Sequence, residues 1–258
     1  MWRIRLNTTI NMLALEVRDS DLLLTQFYTL GTDGFILQQL ALPEAQAWWQ
    51  GLEEAEHGQI YLHGYGDKKL GQHKGIVAVA PETGYKVWEQ TELAYYGIAP
   101  EGIVAYHPKQ PEAPMQVLAP KSGVPTGQVL NQVQAAEVVA QHSRSRYADC
   151  HYPVLYREGE EYFEQVQHFL ELQIGVAAVQ AIEYAETATH LIISFYIQDT
   201  EGKLCNSLVI FDLDGNLLLQ EQLGSSLSGI GSDTFFIFKH NLFFILNRVI
   251  LQVFRLSV

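Results

Sequence analysis

Seven polar side chains crowd into one short stretch of the chain: His57, His63, Asp67, Lys68, Lys69, His73 and Lys74. Imidazole beside carboxylate is the chemistry of a general acid/base pair. Three imidazoles with a carboxylate are also a donor set that could hold zinc or a similar ion. The spacing matches no established metal motif, however, and the lysines within the stretch disfavour a cation. His63 to Asp67 end an apolar strand and open a loop, and His73 and Lys74 begin the next strand. Both ends of that loop therefore project from one face. The expectation is a site for an anionic or polar ligand at His63, Asp67, His73 and Lys74, with neither metal nor cofactor. The plainer alternative is a solvated polar loop with a His–Asp hydrogen bond.

Other candidates carry less chemistry. Trp48 and Trp49 are adjacent; on a helix they would point about 100° apart, so one packs and the other, Trp49, is offered to a ligand as an aromatic platform. Cys150 and His151 are strand neighbours facing opposite sides, so they cannot activate one another. With Cys205, Cys150 reads as one of two free, inert thiols. The glutamates Glu53, Glu54 and Glu56, like Glu158, Glu160 and Glu161, read as solvated groups at helix ends. Asp212 and Asp214 lack the closing glutamate of a calcium loop and read as a hairpin turn. No Gly-rich phosphate loop, nucleophile elbow, His-Glu-x-x-His or Cys-x-x-Cys occurs.

The elements that must position these residues are mostly strands. Apolar runs alternate with Gly- or Asp-bearing turns at 31–34, 81–84, 120–123, 214–216 and 247–248, which is hairpin chemistry. A third strand precedes each hairpin: 13–18, 59–65, 93–99 with 102–106, 190–198 and 234–239. The hairpins recur at about 40–50 residues, apart from one gap, and three or four strands at such a period is the signature of a propeller blade. The fold expected is mainly β: one β-propeller-like domain over residues 1–258, of about six blades, five clear and one degenerate. An irregular or helical insertion falls around 131–189. The alternative is an α+β domain or a β-sandwich. Helical periodicity marks 43–56, 131–141 and 160–172. Residues 224–232, rich in Gly and Ser, read as a flexible connection. Closure would pair 2–6 or 13–18 with the C-terminal hairpin.

The chain has 258 residues, 48% of them hydrophobic and 17% charged, with 16 basic against 29 acidic side chains and a formal charge of −13. Such a chain can bury a large core and is not disordered. Its negative field argues against nucleic acid and anionic membranes as partners. No apolar segment follows the N-terminal arginines, so no signal peptide is expected. The apolar stretch 234–256 is interrupted by Lys239, Arg248 and Arg255 and reads as strands, not a membrane span. Two cysteines suit a reducing cytoplasm. The chain is expected to be a cytoplasmic monomer.

Residues 75–88, Gly-Ile-Val-Ala-Val-Ala-Pro-Glu-Thr-Gly-Tyr-Lys-Val-Trp, resemble the repeat of quinoprotein- and WD-type propellers, in which a strand, a Thr-Gly turn and a Trp recur in each blade. Gly123 and Gly215 stand at comparable turns without that Trp. The resemblance implies a fold and no quinone. Over roughly residues 1–110 the chain is also similar to an uncharacterised bacterial family known as a domain of unknown function. That similarity rests on Trp2-Arg3-Ile4, Leu15-Glu16-Val17-Arg18, Trp48-Trp49, Tyr61-Leu62-His63-Gly64-Tyr65 and His73-Lys74-Gly75-Ile76. It implies no activity. The function expected is a non-catalytic module that binds a protein or a small molecule. The alternative is a hydrolase or lyase with His63, Asp67 and His73 as acid/base groups.

Overall fold

The computed structural model describes residues 1–40, 48–67, 69 and 71–256, of which Asp67 is described by its backbone alone. These group into two compact units, Met1–Tyr147 and Ala148–Val258. Both are built mainly from antiparallel sheets.

In the first unit, sheet membership follows chain order. Strands β1 (Arg3–Asn7), β2 (Met12–Asp19), β3 (Leu24–Gly31) and β4 (Leu37–Gln39) make one four-stranded sheet. Strands β5 (Gly51–Glu56), β6 (Gln59–Asp67), β7 (Gln72–Val79) and β8 (Lys86–Gln90) make the next. The third consists of β9 (Ala94–Ala99), β10 (Gly102–Tyr106), β11 (Met115–Leu118) and β12 (Pro125–Leu130). Helix α1 (Gln132–Arg146) follows, started by a capping box in which the Asn131 side chain takes the Gln134 N–H and Gln134 reaches back. It packs on β9 at Gly97, where a Cβ would fall 2.6 Å from Val139.

The second unit contains β13 (Cys150–His151), β14 (Val154–Arg157), helix α2 (Glu161–Ile174), β15 (Ala181–Glu186), β16 (His190–Gln198), β17 (Leu204–Asp212), β18 (Leu217–Leu227), β19 (Phe235–Phe238), β20 (Asn241–Leu246) and β21 (Ile250–Arg255). Strands β14 to β18 form a five-stranded sheet in chain order. The other sheet has the order β13-β19-β20-β21.

Apolar side chains fill the space between neighbouring sheets. Phe27, Leu40, Leu52, Leu62 and Val79 join the first and second sheets. Tyr61, Ile76, Trp88, Ile98 and Ile103 join the second and third. In the second unit Ile192, Leu208, Ile210, Phe235 and Phe244 join its two sheets, and α2 lays Phe163 and Leu170 on Ile193 and Phe211. Strand β16 is buried along most of its length, as expected for a strand covered on both faces.

Polar staples reinforce each junction. The buried Glu16 carboxylate on β2 accepts the Leu52 N–H of β5 at 2.7 Å. The Trp88 indole of β8 donates to the Pro120 carbonyl at 2.6 Å. In the second unit Glu183 on β15 accepts the Asp233 and Thr234 N–H groups that lead into β19. Each satisfies a backbone donor or acceptor that the sheet ladders leave open.

Every hairpin read from the sequence is present, and so are the helices near 131 and 160. Residues 234–256 form β19, β20 and β21, and no helix among the described residues is long and apolar enough to cross a membrane. Three expectations fail. The helix over 43–56 does not form over its second half: 41–47 lie outside the described residues, and Gly51–Glu56 is strand β5. His57 and Gly58, at φ +53° and +68°, make the two-residue turn into β6. Strands β1 and β2 pair with each other, not with the C-terminal hairpin, whose sheet is completed by Cys150–His151. The span 131–189 carries both helices, and its strands join the two sheets of the second unit. Residues 224–227 extend β18 instead of forming a loose connection.

Candidate functional site

Two interruptions of the second sheet's ladder meet around His63. Between β5 and β6, Leu52 faces Leu62 and Glu54 faces Tyr61, which leaves Glu53 as the extra residue of a bulge. Between β6 and β7, Leu62 faces Val77 and Gly64 faces Lys74, so His63 has two residues, Gly75 and Ile76, across from it. Gly75 takes φ +84°, which a side chain would disfavour. Bulges re-aim side chains, and here they accompany the convergence of Glu53, His63 and His73.

The Glu53 Oε1 lies 2.6 Å from Nδ1 of His73 and 3.1 Å from Nδ1 of His63. The two imidazoles stack with centroids 3.5 Å apart and planes 13° from parallel. The Tyr65 ring stands edge-on to both, at 5.2 and 5.3 Å, and Trp49 stands edge-on to Tyr65 at 5.6 Å. His63 is 2% exposed, whereas the His73 side chain is 32% exposed. Arg3 sits on the other side of the carboxylate, 3.9 Å from Oε2, and donates to the Leu52 carbonyl. The Glu53 carboxylate thus has one oxygen toward a guanidinium and one toward the imidazoles.

Electrostatics fix the resting charges. Burial raises the Glu53 carboxyl, but the contacts with His63 and His73 outweigh it and hold the group at about 2. Burial lowers His63, and the nearby carboxylate only partly offsets this. The two shifts pull in different senses, since a charged His63 would help Glu53 most. The hydrogen bond between Glu53 Oε1 and Nδ1 of His73, at 2.6 Å, also favours the carboxylate. At neutral pH the arrangement is therefore ionised Glu53 beside neutral His63. Both ring nitrogens of His63 lack a hydrogen-bond partner: Nδ1 is near Glu53 but outside hydrogen-bond geometry, and Nε2 faces none. An unsatisfied buried polar group carries a desolvation cost of about 1–3 kcal/mol.

The structure brings His63 and His73 together. Lys74 adjoins them in sequence, but its ammonium pairs with Glu92 at 3.1 Å. Asp67 ends β6, opposite Gln72, and its side chain lies outside the described residues, as do Lys68 and Leu70. Trp49 is in a turn, not on a helix, and is 39% exposed. Trp48 instead has the Arg18 guanidinium 5.1 Å from its ring. His57 is drawn away from the cluster. Its Nδ1 lies 3.3 Å from the Tyr61 hydroxyl, and its ring is stacked at 6.4 Å on His142 of α1.

Glu53 is the residue that sequence reasoning missed. Assigned to a solvated helix end, it is instead buried beside the two histidines, and Glu56 is buried with it. Glu56 and Glu54 both contact Arg146, at 2.9 and 3.3 Å. The His-Gly turn followed by alternating Ile60, Leu62 and Gly64 was the signal available for a hairpin there.

The cluster can exchange protons between carboxylate and imidazole, accept a hydrogen bond at His63, or offer three ligand atoms lying within 4.8 Å of one another. Cys150 and Cys205 are both free, and burial pushes the Cys150 thiol up to about 11, which leaves it unreactive. Asp212 accepts from the Asp214 and Asn216 N–H groups and closes the β17–β18 hairpin.

No curated protein matches the chain. Residues 6–88 match a family model described as a domain of unknown function, DUF4905, and this segment holds Glu53, His63, His73, Lys74 and Trp49.

Proposed function

We propose that the chain is a non-catalytic binding module that takes a small polar ligand at the end of the second sheet, among Glu53, His63, Asp67, His73 and Lys74, with Trp49 and Tyr65 beside it. The observation that carries this reading is the buried, hydrogen-bond-poor imidazole of His63 next to an imidazole about a third exposed and an exposed tryptophan. Such a polar group held without a partner is a receptor for one. Within each unit the successive antiparallel sheets are stapled to one another, which supports reading them as propeller-like blades, a fold that hosts scaffolds and enzymes alike.

The test is thermal denaturation of wild type and of His73→Ala against a panel of dicarboxylates, amino acids, monosaccharides, nucleotides and divalent cations. A compound that stabilises wild type and not the variant supports the reading. No difference between the two proteins across the panel removes the site from the account.

One observation keeps the hydrolase or lyase reading in view: Glu53 is within hydrogen-bond distance of both imidazoles, the proximity that acid/base work requires. That reading expects turnover that disappears in His73→Ala while the fold persists.

A further inference from the structure

We infer that Glu53, His63 and His73 form a binding site for a divalent first-row transition-metal ion, with zinc the ion best suited to it. The inference rests on the binding reading above and names the ligand class of that same site.

Three observations carry it. The donor set is two imidazoles and one carboxylate, the mixed nitrogen and oxygen set that zinc accepts and that leaves a fourth position for water or a further ligand. Donor atoms of the three residues all lie within 4.8 Å of one another. A zinc ion with bonds of about 2.0–2.2 Å sets neighbouring donors roughly 3.3 Å apart, close to the 3.1 Å between His63 Nδ1 and Glu53 Oε1, whereas His73 Nδ1, at 2.6 Å from the same oxygen, must draw back to coordinate. Finally, His63 is buried with both ring nitrogens unpartnered, one of them aimed at the cluster. A cation there gives that nitrogen a partner and uses the neutral imidazole and ionised carboxylate as they stand.

Of the lysines that argued against a metal in the sequence, Lys74 is turned to Glu92. Arg3 holds the far oxygen of Glu53, so Oε1 remains the one turned to the histidines. The stacked rings cannot both coordinate in plane as they lie, since their planes are nearly parallel. Coordination therefore turns one ring about its Cβ–Cγ bond. His73, a third exposed, is that ring; His63 is fixed by its close contact with Gly51.

The experiment is zinc titration of the whole chain by calorimetry, with cobalt(II) absorption as a second readout, on wild type, His73→Ala, Glu53→Gln and His142→Ala. The last removes a histidine outside the cluster. The expected result is saturable binding of one ion by wild type and by His142→Ala. Affinity should fall more than about 100-fold in His73→Ala and Glu53→Gln, beyond the loss of an outer partner. Circular dichroism identifies any variant that has not folded, and His73→Ala, at a part-exposed position, is the one chosen to fold. Binding by wild type that His73→Ala and Glu53→Gln retain, or no saturable binding at all, overturns the metal site. If zinc fails and an organic compound still stabilises wild type over His73→Ala, the metal inference falls alone. If neither discriminates, the binding reading falls with it.

Discussion

The imidazole of His63 occupies the space that a side chain on Gly51 would need: a Cβ there would lie 2.5 Å from its Cε1 and 2.6 Å from its Nε2, with Arg18 Nη2 at 3.2 Å. Gly51 and His63 face each other across the β5–β6 ladder. Glycine is required here for room, so that a buried ring can lie over a neighbouring strand. Gly51→Ala should therefore destabilise the first unit by about 1–3 kcal/mol through overpacking. It should also displace the His63 ring signals in NMR spectra. Gly229→Ala, where a Cβ meets nothing within 4 Å, is the control and should change stability by less than about 0.5 kcal/mol. Equal denaturation midpoints for Gly51→Ala and wild type would mean that His63 is not held as described.

Stability should fall in two stages as the pH drops. Burial keeps His63 neutral, so below its ordinary value of 6.5 the unfolded chain binds more protons than the folded one, and acid favours unfolding. His57 and His142, also lowered by burial, act in the same sense. Glu53, held at about 2 against an ordinary 4.5, contributes fully above 4.5 and loses its contribution as the pH falls through the native value. That second stage is worth on the order of 3 kcal/mol at roughly 1.4 kcal/mol per unit. Glu183 works the other way just above 4.5, because burial raises it. The difference between wild type and Glu53→Gln therefore isolates the second stage. The gap between their denaturation midpoints should narrow steadily from pH 5 towards about pH 2; a constant gap would rule out the assignment.

Hairpins were legible because their turn residues act locally. Pro81 to Gly84 closes a turn in which the Gly84 N–H returns to Ala80, and Asp212 folds back on Asn216. Asn131 announced α1 in the same way. His63 and His73 were legible as a pair for a similar reason, since one short hairpin joins them. The segment 51–56 was not. Its glutamates look solvated because their partners are remote: Arg3 for Glu53, Thr8 and Arg146 for Glu56. A charge buried against another 90 residues away leaves no periodic trace in the sequence. The same remoteness hid the partner of Cys150–His151: the sequence placed these two on a strand, but not beside Phe238 and Ile237.

Arg146 shows how much such a distant partner supports. Its Nη2 donates to the carbonyls of Leu6 and Ala55 at 2.9 and 3.0 Å, and its Nε lies 2.9 Å from Glu56. Burial would lower its pKa, but Glu54, Tyr147 and Glu56 overcome this and keep it charged. Arg146→Met removes the donors, leaves the buried Glu56 without its cation and leaves Glu54 with only the more distant Arg5. The expected loss is about 3–5 kcal/mol in chemical denaturation. Arg146→Lys should recover less than half of it, because one ammonium cannot reach two carbonyls and two carboxylates from a single planar fork. Full rescue by lysine would show that charge alone matters at this position.

Glu183 offers the corresponding test in the second unit. One carboxylate oxygen accepts the Asp233 N–H; the other accepts the Thr234 N–H at 3.0 Å and the Thr234 hydroxyl. Both oxygens must therefore be acceptors for backbone donors. Glu183→Gln replaces one with an amide that donates, so an N–H is set against an N–H whichever way the amide is turned. The cost should be about 1–3 kcal/mol, the price of an unsatisfied buried donor. Thr234→Val removes only the hydroxyl contribution and should cost about 1 kcal/mol. Amide exchange at Thr234 separates a local cap from a general loss of stability: in Glu183→Gln it should quicken more than exchange in the central strand β16. Uniform quickening across both would mean that Glu183 does not anchor the segment leading into β19.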